Sequence, residues 1–287
     1  MRIPPYWARQ THREAGPDGK ERAYDAWGWS FASMDAARTD AADRARRVFE
    51  KLTTHREPES YEYLEHPLRE EIVDAMGAGP HPFAAITRNR YGSLVLNCAS
   101  VCFVDVDFPR PAAQGFVDAI MGLFSKAKKR QQQQAVQEAT LGRVLDWAQR
   151  NPQHSFRLYR TCAGLRLLMT DQLYEPTSEQ TSGLLSDLGS DTLYRKLTEK
   201  QECFRARLTA KPWRCGCTRP PNRYPWGDDD ARQAYRKWQA NYETRSARYG
   251  TCRLLETIGG GPANEQIAAI VKLHDQHACA DDGVELA

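Results

Sequence analysis

The chain has 287 residues, of which 41% are hydrophobic and 27% are charged, and its formal net charge is +3. This composition is typical of a globular protein, and no stretch approaches the ~18 consecutive apolar residues that a membrane helix requires. The first residues lack the apolar core of a signal peptide, so the sequence predicts a cytoplasmic protein without a membrane partner, whose eight cysteines are thiols or metal ligands.

The N-terminal part predicts a small lobe made of a hairpin and a helix. Two aromatic-containing segments flank a turn at Gly16–Gly19, and Ser33 is placed to cap a helix whose small and apolar residues recur at helical spacing. A polar stretch from His55 to Pro58 indicates a boundary. We therefore expect residues 1–58 to form this lobe and residues 59–287 to form the core.

The core predicts an α+β fold with one antiparallel, RRM-like sheet flanked by helices. Short strand-like segments begin at Phe83 and recur as far as Ile258, with a glycine-containing turn at Thr161–Gly164. A basic and glutamine-rich stretch near 125–137 predicts either a mobile insertion or the exposed start of a helix that ends near Trp147. A last helix is expected after Asn264, which can cap it.

Two carboxylates interrupt the apolar strand Val101–Phe108. Because side chains alternate along a strand, Asp105 and Asp107 should project from the same face as Phe103. Neighbouring carboxylates repel and raise each other's pKa unless a cation lies between them. The pair therefore predicts a site for a divalent metal, and the alternative is a surface pair that basic side chains neutralise.

A basic segment follows between Arg195 and Arg223, and it predicts a surface that binds phosphate. Clustered cations beside the indole of Trp213 suit a nucleic-acid backbone and its stacked bases, although a buried Trp213 that only anchors the chain is equally compatible with the pattern. The candidate phosphate ligands in this segment are Arg205, Arg207, Lys211 and Arg214.

The order of these motifs resembles the archaeo-eukaryotic primase superfamily. The resemblance rests on Asp105-x-Asp107, on the strand-turn-strand segment Tyr159–Arg166 and on an acid in a late strand, Glu256. It implies template-directed nucleotidyl transfer with two Mg²⁺ or Mn²⁺ ions, a nucleoside triphosphate as substrate and DNA or RNA as partner. It also implies that Asp105, Asp107 and Glu256 hold the metal, with Asp171 as a weaker choice for the third carboxylate.

The chain departs from that family's pattern where a histidine would contact the incoming triphosphate, because Arg166 stands there. Arginine can grip phosphate bidentately, so Arg166 is a candidate nucleotide ligand. The departure equally favours a non-catalytic module that binds nucleic acid or nucleotide and keeps the same fold.

Two further enzyme families share parts of the pattern. Gly92-Ser93 followed by Asp105-x-Asp107 is similar to the signature of polymerase-beta-like nucleotidyltransferases, but the intervening residues favour strands where that family needs a helix. Asp-x-Asp also occurs in nucleotide-sugar glycosyltransferases. A zinc site at Cys215 and Cys217, joined by Cys203 or by the His274, His277 and Cys279 group, is disfavoured because paired C-x₂₋₄-C knuckles are absent.

Overall fold

The computed structural model describes residues 1–53, 67–77, 82–109 and 126–287. The expected α+β class is confirmed, with helices and antiparallel sheets in the described residues. The predicted lobe boundary at 55–58 lies outside them. By its internal contacts the chain divides into two units, Met1–Asn97 with Lys211–Arg245, and Cys98–Ala210 with Ser246–Ala287.

The elements follow the chain in this order. The strands are β1 (Tyr6–Ala15), β2 (Glu21–Ser30), β3 (Glu71–Met76), β4 (Ala84–Arg88), β5 (Leu94–Cys98), β6 (Phe103–Asp107), β7 (Phe156–Thr161), β8 (Gly164–Met169), β9 (Phe204–Arg207) and β10 (Cys252–Ile258). The helices are α1 (Met34–Thr53), α2 (Lys126–Arg150), α3 (Glu179–Asp187), α4 (Thr192–Gln201), α5 (Asp229–Ser246) and α6 (Glu265–Ala278), with a short 3₁₀ helix at Pro212–Arg214.

The predicted hairpin and helix are both present at the start of the first unit. β1 and β2 pair antiparallel, and Ser33 accepts a hydrogen bond from the Ala36 amide at 3.1 Å, which caps α1. A buried stripe of alanines that includes Ala37 and Ala41 faces the hairpin. A Cβ placed on Gly28 would lie 2.1 Å from the Ala41 nitrogen, so the helix and β2 pack too closely for any side chain there.

The rest of the first unit combines neighbouring strands β3, β4 and β5 with helix α5. The aromatic stripe of α5 lies largely in the core, because Tyr235 and Tyr242 are buried and Trp238 stacks on Tyr242 with ring centroids 5.1 Å apart. The Tyr242 hydroxyl also hydrogen-bonds Ser93, at 3.3 Å. The aromatic stripe of this helix therefore packs largely inward.

The second unit is built on a four-stranded antiparallel sheet with the order β10-β7-β8-β6. The hairpin β7–β8 occupies its centre, and Gly164 is required at the turn because a Cβ there would lie 2.2 Å from the Val106 carbonyl oxygen. Helix α2 contacts one face through Trp147 and Phe156, and α6 contacts the other through His274 and Tyr159. Residues 126–150 form one continuous helix, which agrees with the second interpretation of the glutamine-rich stretch.

Candidate functional site

The two aspartates of β6 share a face of the second unit's sheet, as the alternation predicts. Phe103 on the same face is fully buried, the Asp105 side chain is 35% exposed and Asp107 is exposed, so this face opens gradually towards the end of the strand. Asp105 lies directly opposite Arg166 of β8. Directly opposed residues of antiparallel strands point to the same side, so Arg166 is the immediate neighbour of Asp105.

Arg166 is a buried counter-ion of Asp105. Its Nε donates to Asp105 Oδ1 at 2.9 Å and a terminal nitrogen donates to Oδ2 at 3.4 Å, while its side chain is only 5% exposed. The other terminal nitrogen donates to the Arg207 carbonyl at 3.1 Å and lies 3.4 Å from His274 Nε2. Burial lowers the pKa of Arg166, but the charge and hydrogen bonds of Asp105 outweigh burial and hold that pKa above its usual value.

The buried polar network continues from Arg166 into helix α6. A guanidinium only donates, so His274 Nε2 must accept, and its Nδ1 then carries the proton and donates to Asp275 Oδ1 at 3.0 Å. Asp275 also accepts hydrogen bonds from the Tyr159 hydroxyl at 2.6 Å and from Arg157 at 2.8 Å. The network therefore contains a neutral histidine between two ion pairs.

The pKa shifts follow from this arrangement. Burial lowers the pKa of His274 below its usual value, against the opposing effect of the Asp275 hydrogen bond. Burial raises the pKa of Asp275, but the hydrogen bonds from His274 and Tyr159 outweigh it, so the net pKa of Asp275 is lowered. Burial and then the Asp275 carboxylate raise the pKa of Tyr159, which stays a neutral hydroxyl donor.

The register of β10 places Glu256 on the opposite face of the sheet from Asp105. Leu254 pairs with Tyr159, but a bulge then shifts the register, so that Glu256 pairs with Leu158. Leu158 alternates with Tyr159, and Tyr159 lies opposite Arg166, on the face that carries Asp105. Glu256 itself is exposed.

Asp171, the weaker candidate for a third carboxylate, has partners of its own. It accepts from the Tyr174 hydroxyl at 2.8 Å and lies 2.6 Å from His154 Nδ1. The ring of Trp147 stacks on His154 with centroids 5.3 Å apart. These contacts join the end of β8 to helix α2 and explain Asp171 as a structural group.

The carboxylates do not fit a two-metal centre in this arrangement. Such a centre needs carboxylates that converge on ions ~3.5–4 Å apart, whereas both oxygens of Asp105 face Arg166 and Glu256 lies across the sheet. Within residues 1–53, 67–77, 82–109 and 126–287, no group of three or more His, Cys, Asp or Glu side chains is arranged to hold a metal ion. The positive charge that neutralises Asp105 is the guanidinium of Arg166.

The predicted phosphate ligands fall in both units. Arg205 and Arg207 are half-buried on one face of β9, alternating with the buried Phe204 and Ala206. Arg205 donates to Gln201 at 3.4 Å, and the Arg207 carbonyl accepts from Arg166. Lys211 and Arg214 belong to the first unit, at the 3₁₀ helix that carries Trp213. Binding of phosphate by these four side chains stays a prediction.

The first unit also carries a cluster of aromatic and basic side chains, of which the sequence indicated only the part around Trp213. We call it the aromatic-basic cluster, and its members are Tyr91, Trp213, Arg219, Lys211 and Arg90. Trp213 is 47% exposed, so it is not a buried anchor. Tyr91 meets it edge-on with ring centroids 5.2 Å apart, and the Arg219 guanidinium lies 5.7 Å from the indole and 5.9 Å from the phenol ring.

The described cysteines are free thiols. Cys215 and Cys217 lie in the first unit, whereas Cys203, His274 and Cys279 lie in the second. Burial and the neighbouring Cys217 raise the pKa of Cys215 to about 11, which keeps it protonated at neutral pH.

The chain matches no protein-family model, no curated protein and no solved structure. Among the helices of the described residues, none is long and apolar enough to cross a membrane.

Proposed function

We propose that this chain is a nucleic-acid-binding protein whose first unit stacks single-stranded bases on the aromatic-basic cluster. The proposal rests on the half-exposed indole of Trp213, which has Tyr91 against its edge and the Arg219 guanidinium beside both rings. Aromatic side chains that accept a base, together with cations that follow the backbone, are the two components of single-strand recognition.

The cluster is held in place before any ligand arrives. The Tyr91 amide donates to the Asn89 side chain at 2.9 Å, and Gly92 adopts a positive φ of 84° that closes the loop between β4 and β5. A Cβ on Gly92 would lie 2.3 Å from the Trp238 ring, so this loop packs directly on α5. The loop therefore presents Tyr91 from a rigid support.

The segment that carries Trp213 is anchored to the same helix. The indole nitrogen of Trp238 donates to the Thr218 carbonyl at 3.1 Å, and Arg245 donates to the Gly216 carbonyl at 3.0 Å. Because both loops rest on α5, Tyr91 and Trp213 keep their mutual geometry, and a base that stacks on them loses little additional protein entropy.

The charges of the cluster suit a phosphate backbone. Lys211 Nζ lies 5.7 Å from the Trp213 ring, and Arg90 lies 4.6 Å from the Tyr91 ring. With Arg219, they place three cations around two aromatic rings. A flexible single strand can stack bases and bring its phosphates to these cations at once, whereas the bases of a duplex are already stacked on each other.

The test measures the affinity for a fluorescently labelled oligo(dT), oligo(U) and a duplex of equal length by anisotropy. Stacking contributes about 1–3 kcal/mol per base, so Trp213→Ala should weaken single-strand binding by about 5- to 150-fold. Trp213→Phe should restore part of the loss. The matched control is Phe31→Ala, which removes an exposed aromatic ring at the end of the N-terminal hairpin and should leave the affinity unchanged.

Two results would contradict the proposal. One is equal affinity of the parent for the single strand and the duplex, because stacking would then contribute nothing. The other is an affinity that does not change in Trp213→Ala. Arg219→Ala should also reduce the salt dependence of binding, by a slope of about 0.7 for one lost phosphate contact on a single strand.

Metal-dependent nucleotidyl transfer makes a different prediction. If Asp105 and Asp107 held a metal, Mn²⁺ would promote binding of a nucleoside triphosphate, and Asp105→Asn and Asp107→Asn would both abolish that effect. Because Arg166 already neutralises Asp105, we expect calorimetry of the parent to show no Mn²⁺-dependent nucleotide binding. A metal-dependent signal lost in both variants would restore the enzymatic interpretation.

A further inference from the structure

Two cysteines that are distant in sequence meet at the end of the second unit's sheet. Cys252 begins β10, and Cys279 directly follows helix α6. They form an isolated parallel bridge, in which the Ala280 amide donates to the Cys252 carbonyl at 2.8 Å and the Thr251 amide donates to the Ala278 carbonyl at 3.0 Å. The backbone therefore holds the two residues side by side.

The spacing of this bridge suits a disulfide. Residues paired on neighbouring strands lie about 4.7–4.9 Å apart, and disulfides form between Cα atoms roughly 4.4–6.8 Å apart. Directly paired residues on neighbouring strands point to the same side, so the Cys252 and Cys279 side chains are neighbours. Little movement of the backbone is needed to bring them to bonding distance.

The two thiols differ in a way that assigns their roles. Cys279 is partly exposed, and the hydrogen bonds from Cys252 and then from the Leu254 amide lower the pKa of Cys279 to about 7, against the opposing effect of burial. Cys252 is fully buried, and its hydrogen bond to Cys279 and its burial raise its pKa. A peroxide can reach Cys279, which is the better nucleophile.

A buried histidine also neighbours the Cys252 thiol. The Cys252 sulfur lies 3.9 Å from His274 Nε2, the ring nitrogen that carries no proton in the network around Arg166. The Nε2 lone pair already faces the Arg166 guanidinium, so His274 is a polar neighbour of the Cys252 thiol and is not assigned as its base.

We propose that Cys279 and Cys252 are a peroxide-sensitive dithiol that closes to a disulfide. The Cys279 thiolate attacks one oxygen of hydrogen peroxide, the O–O bond breaks, and hydroxide leaves and is protonated to water, which produces a sulfenic acid. The Cys252 sulfur then attacks Cys279, the S–O bond breaks, and the Cys252 proton passes to the departing hydroxide, which leaves as water. Two thiols and one peroxide thus give one disulfide and two waters.

The test is peptide mapping by mass spectrometry after treatment of the full chain with one equivalent of hydrogen peroxide. We expect a crosslinked pair of peptides that contain Cys252 and Cys279, with a loss of about 2 Da from the two hydrogens, and we expect dithiothreitol to reverse it. Cys279→Ser should abolish this species. The matched control, Cys162→Ser, replaces the exposed thiol in the turn between β7 and β8 and should leave the crosslink intact.

The variant Cys252→Ser adds a second readout, which does not depend on the crosslink. Without its resolving partner, Cys279 should accumulate as a sulfenic acid that dimedone traps, and it should then proceed to the sulfinic acid with excess peroxide. The proposal is overturned if peroxide leaves both thiols of the parent reduced, if it oxidises Cys279 to the sulfinic acid in the parent without a crosslink, or if Cys162 takes the place of either partner.

Discussion

Removal of the negative charge at Asp105 should destabilise this protein, although the carboxylate belongs to an acidic pair. In Asp105→Asn, Arg166 keeps its charge in a site where its side chain is 5% exposed and loses the carboxylate that neutralises it. Loss of one partner of a buried ion pair costs about 3–5 kcal/mol. Because Asp105 is 35% exposed, water relieves part of that cost, and we expect the lower end, about 3 kcal/mol.

The change in the free energy of unfolding has the opposite sign if repulsion between the two aspartates dominates. Asp105→Asn would then relieve that repulsion and leave the metal-free protein as stable as the parent or more stable. The measurement is urea denaturation at pH 7 followed by circular dichroism, in which about 3 kcal/mol corresponds to a roughly 150-fold change in the unfolding equilibrium constant. The matched control is Asp107→Asn, an exposed carboxylate on the same face, expected to change the free energy of unfolding by less than about 1 kcal/mol.

A double-mutant cycle identifies Arg166 as the cause. If the ion pair is responsible, Asp105→Ala combined with Arg166→Met should cost about 1–3 kcal/mol less than the sum of the two single changes. A parent-like stability of Asp105→Asn, an equal loss in Asp107→Asn, or strict additivity in the cycle would each refute the assignment of Arg166 as the counter-ion.

Two further predictions test the packing and the buried network. The pKa of His274 is lower in the folded state than its unfolded value of about 6.5. At pH values between these two pKa values the unfolded chain binds more protons than the folded chain. The stabilising effect of the neutral histidine is therefore complete above about pH 6.5 and is lost as the pH falls. Urea midpoints from pH 8 to 5 should show this loss in the parent and in His277→Gln, an exposed position on the same helix, and a flatter profile in His274→Gln. Gly28→Ala should cost at least about 1–3 kcal/mol because its Cβ meets the Ala41 backbone, whereas Gly142→Ala, in a helix with open space around it, should gain about 0.5–1 kcal/mol in the same thermal or urea assay. A Gly28→Ala protein as stable as the parent would contradict the packing prediction. A pH profile of stability in His274→Gln that is steeper than the parent's would contradict the prediction for the buried network.

The local features of the fold could be predicted because short segments determine them. The caps at Ser33 and Asn264 are recognised by residue type next to an apolar repeat, and both make the expected hydrogen bonds. Alternation within β6 placed Asp105 and Asp107 on one face without any knowledge of the neighbouring strands.

The partners of those side chains could not be predicted, because they depend on register. The sequence assigned Arg166 to a phosphate, but the pairing of β6 with β8 sets it opposite Asp105. Glu256 was assigned to the same face as the aspartates, and one bulged residue in β10 moves it to the other. A shift of one residue moves every later side chain of a strand to the other face of the sheet. No local sequence pattern in β10 indicates the bulge.

The aromatic-basic cluster was only partly visible for a related reason. Trp213 and its basic neighbours are close in sequence, and they predicted a site for phosphates and bases. Tyr91 could not be assigned to the cluster from the sequence, because its contact with Trp213 joins two distant loops that α5 holds together. An aromatic residue at a hairpin tip, between Arg90 and Gly92, is the signal that could have indicated an exposed ring.

The buried ion pair and the aromatic-basic cluster belong to different units, so their variants should have separable effects. We expect Asp105→Asn to lower the free energy of unfolding while the folded fraction keeps the parent's affinity for oligo(dT). We expect Trp213→Ala to lose affinity without loss of stability, because the half-exposed indole contributes little to the core. If folded Asp105→Asn loses nucleic-acid binding as well, the acidic strand takes part in recognition. Arg166 must then contact the ligand in addition to pairing with Asp105.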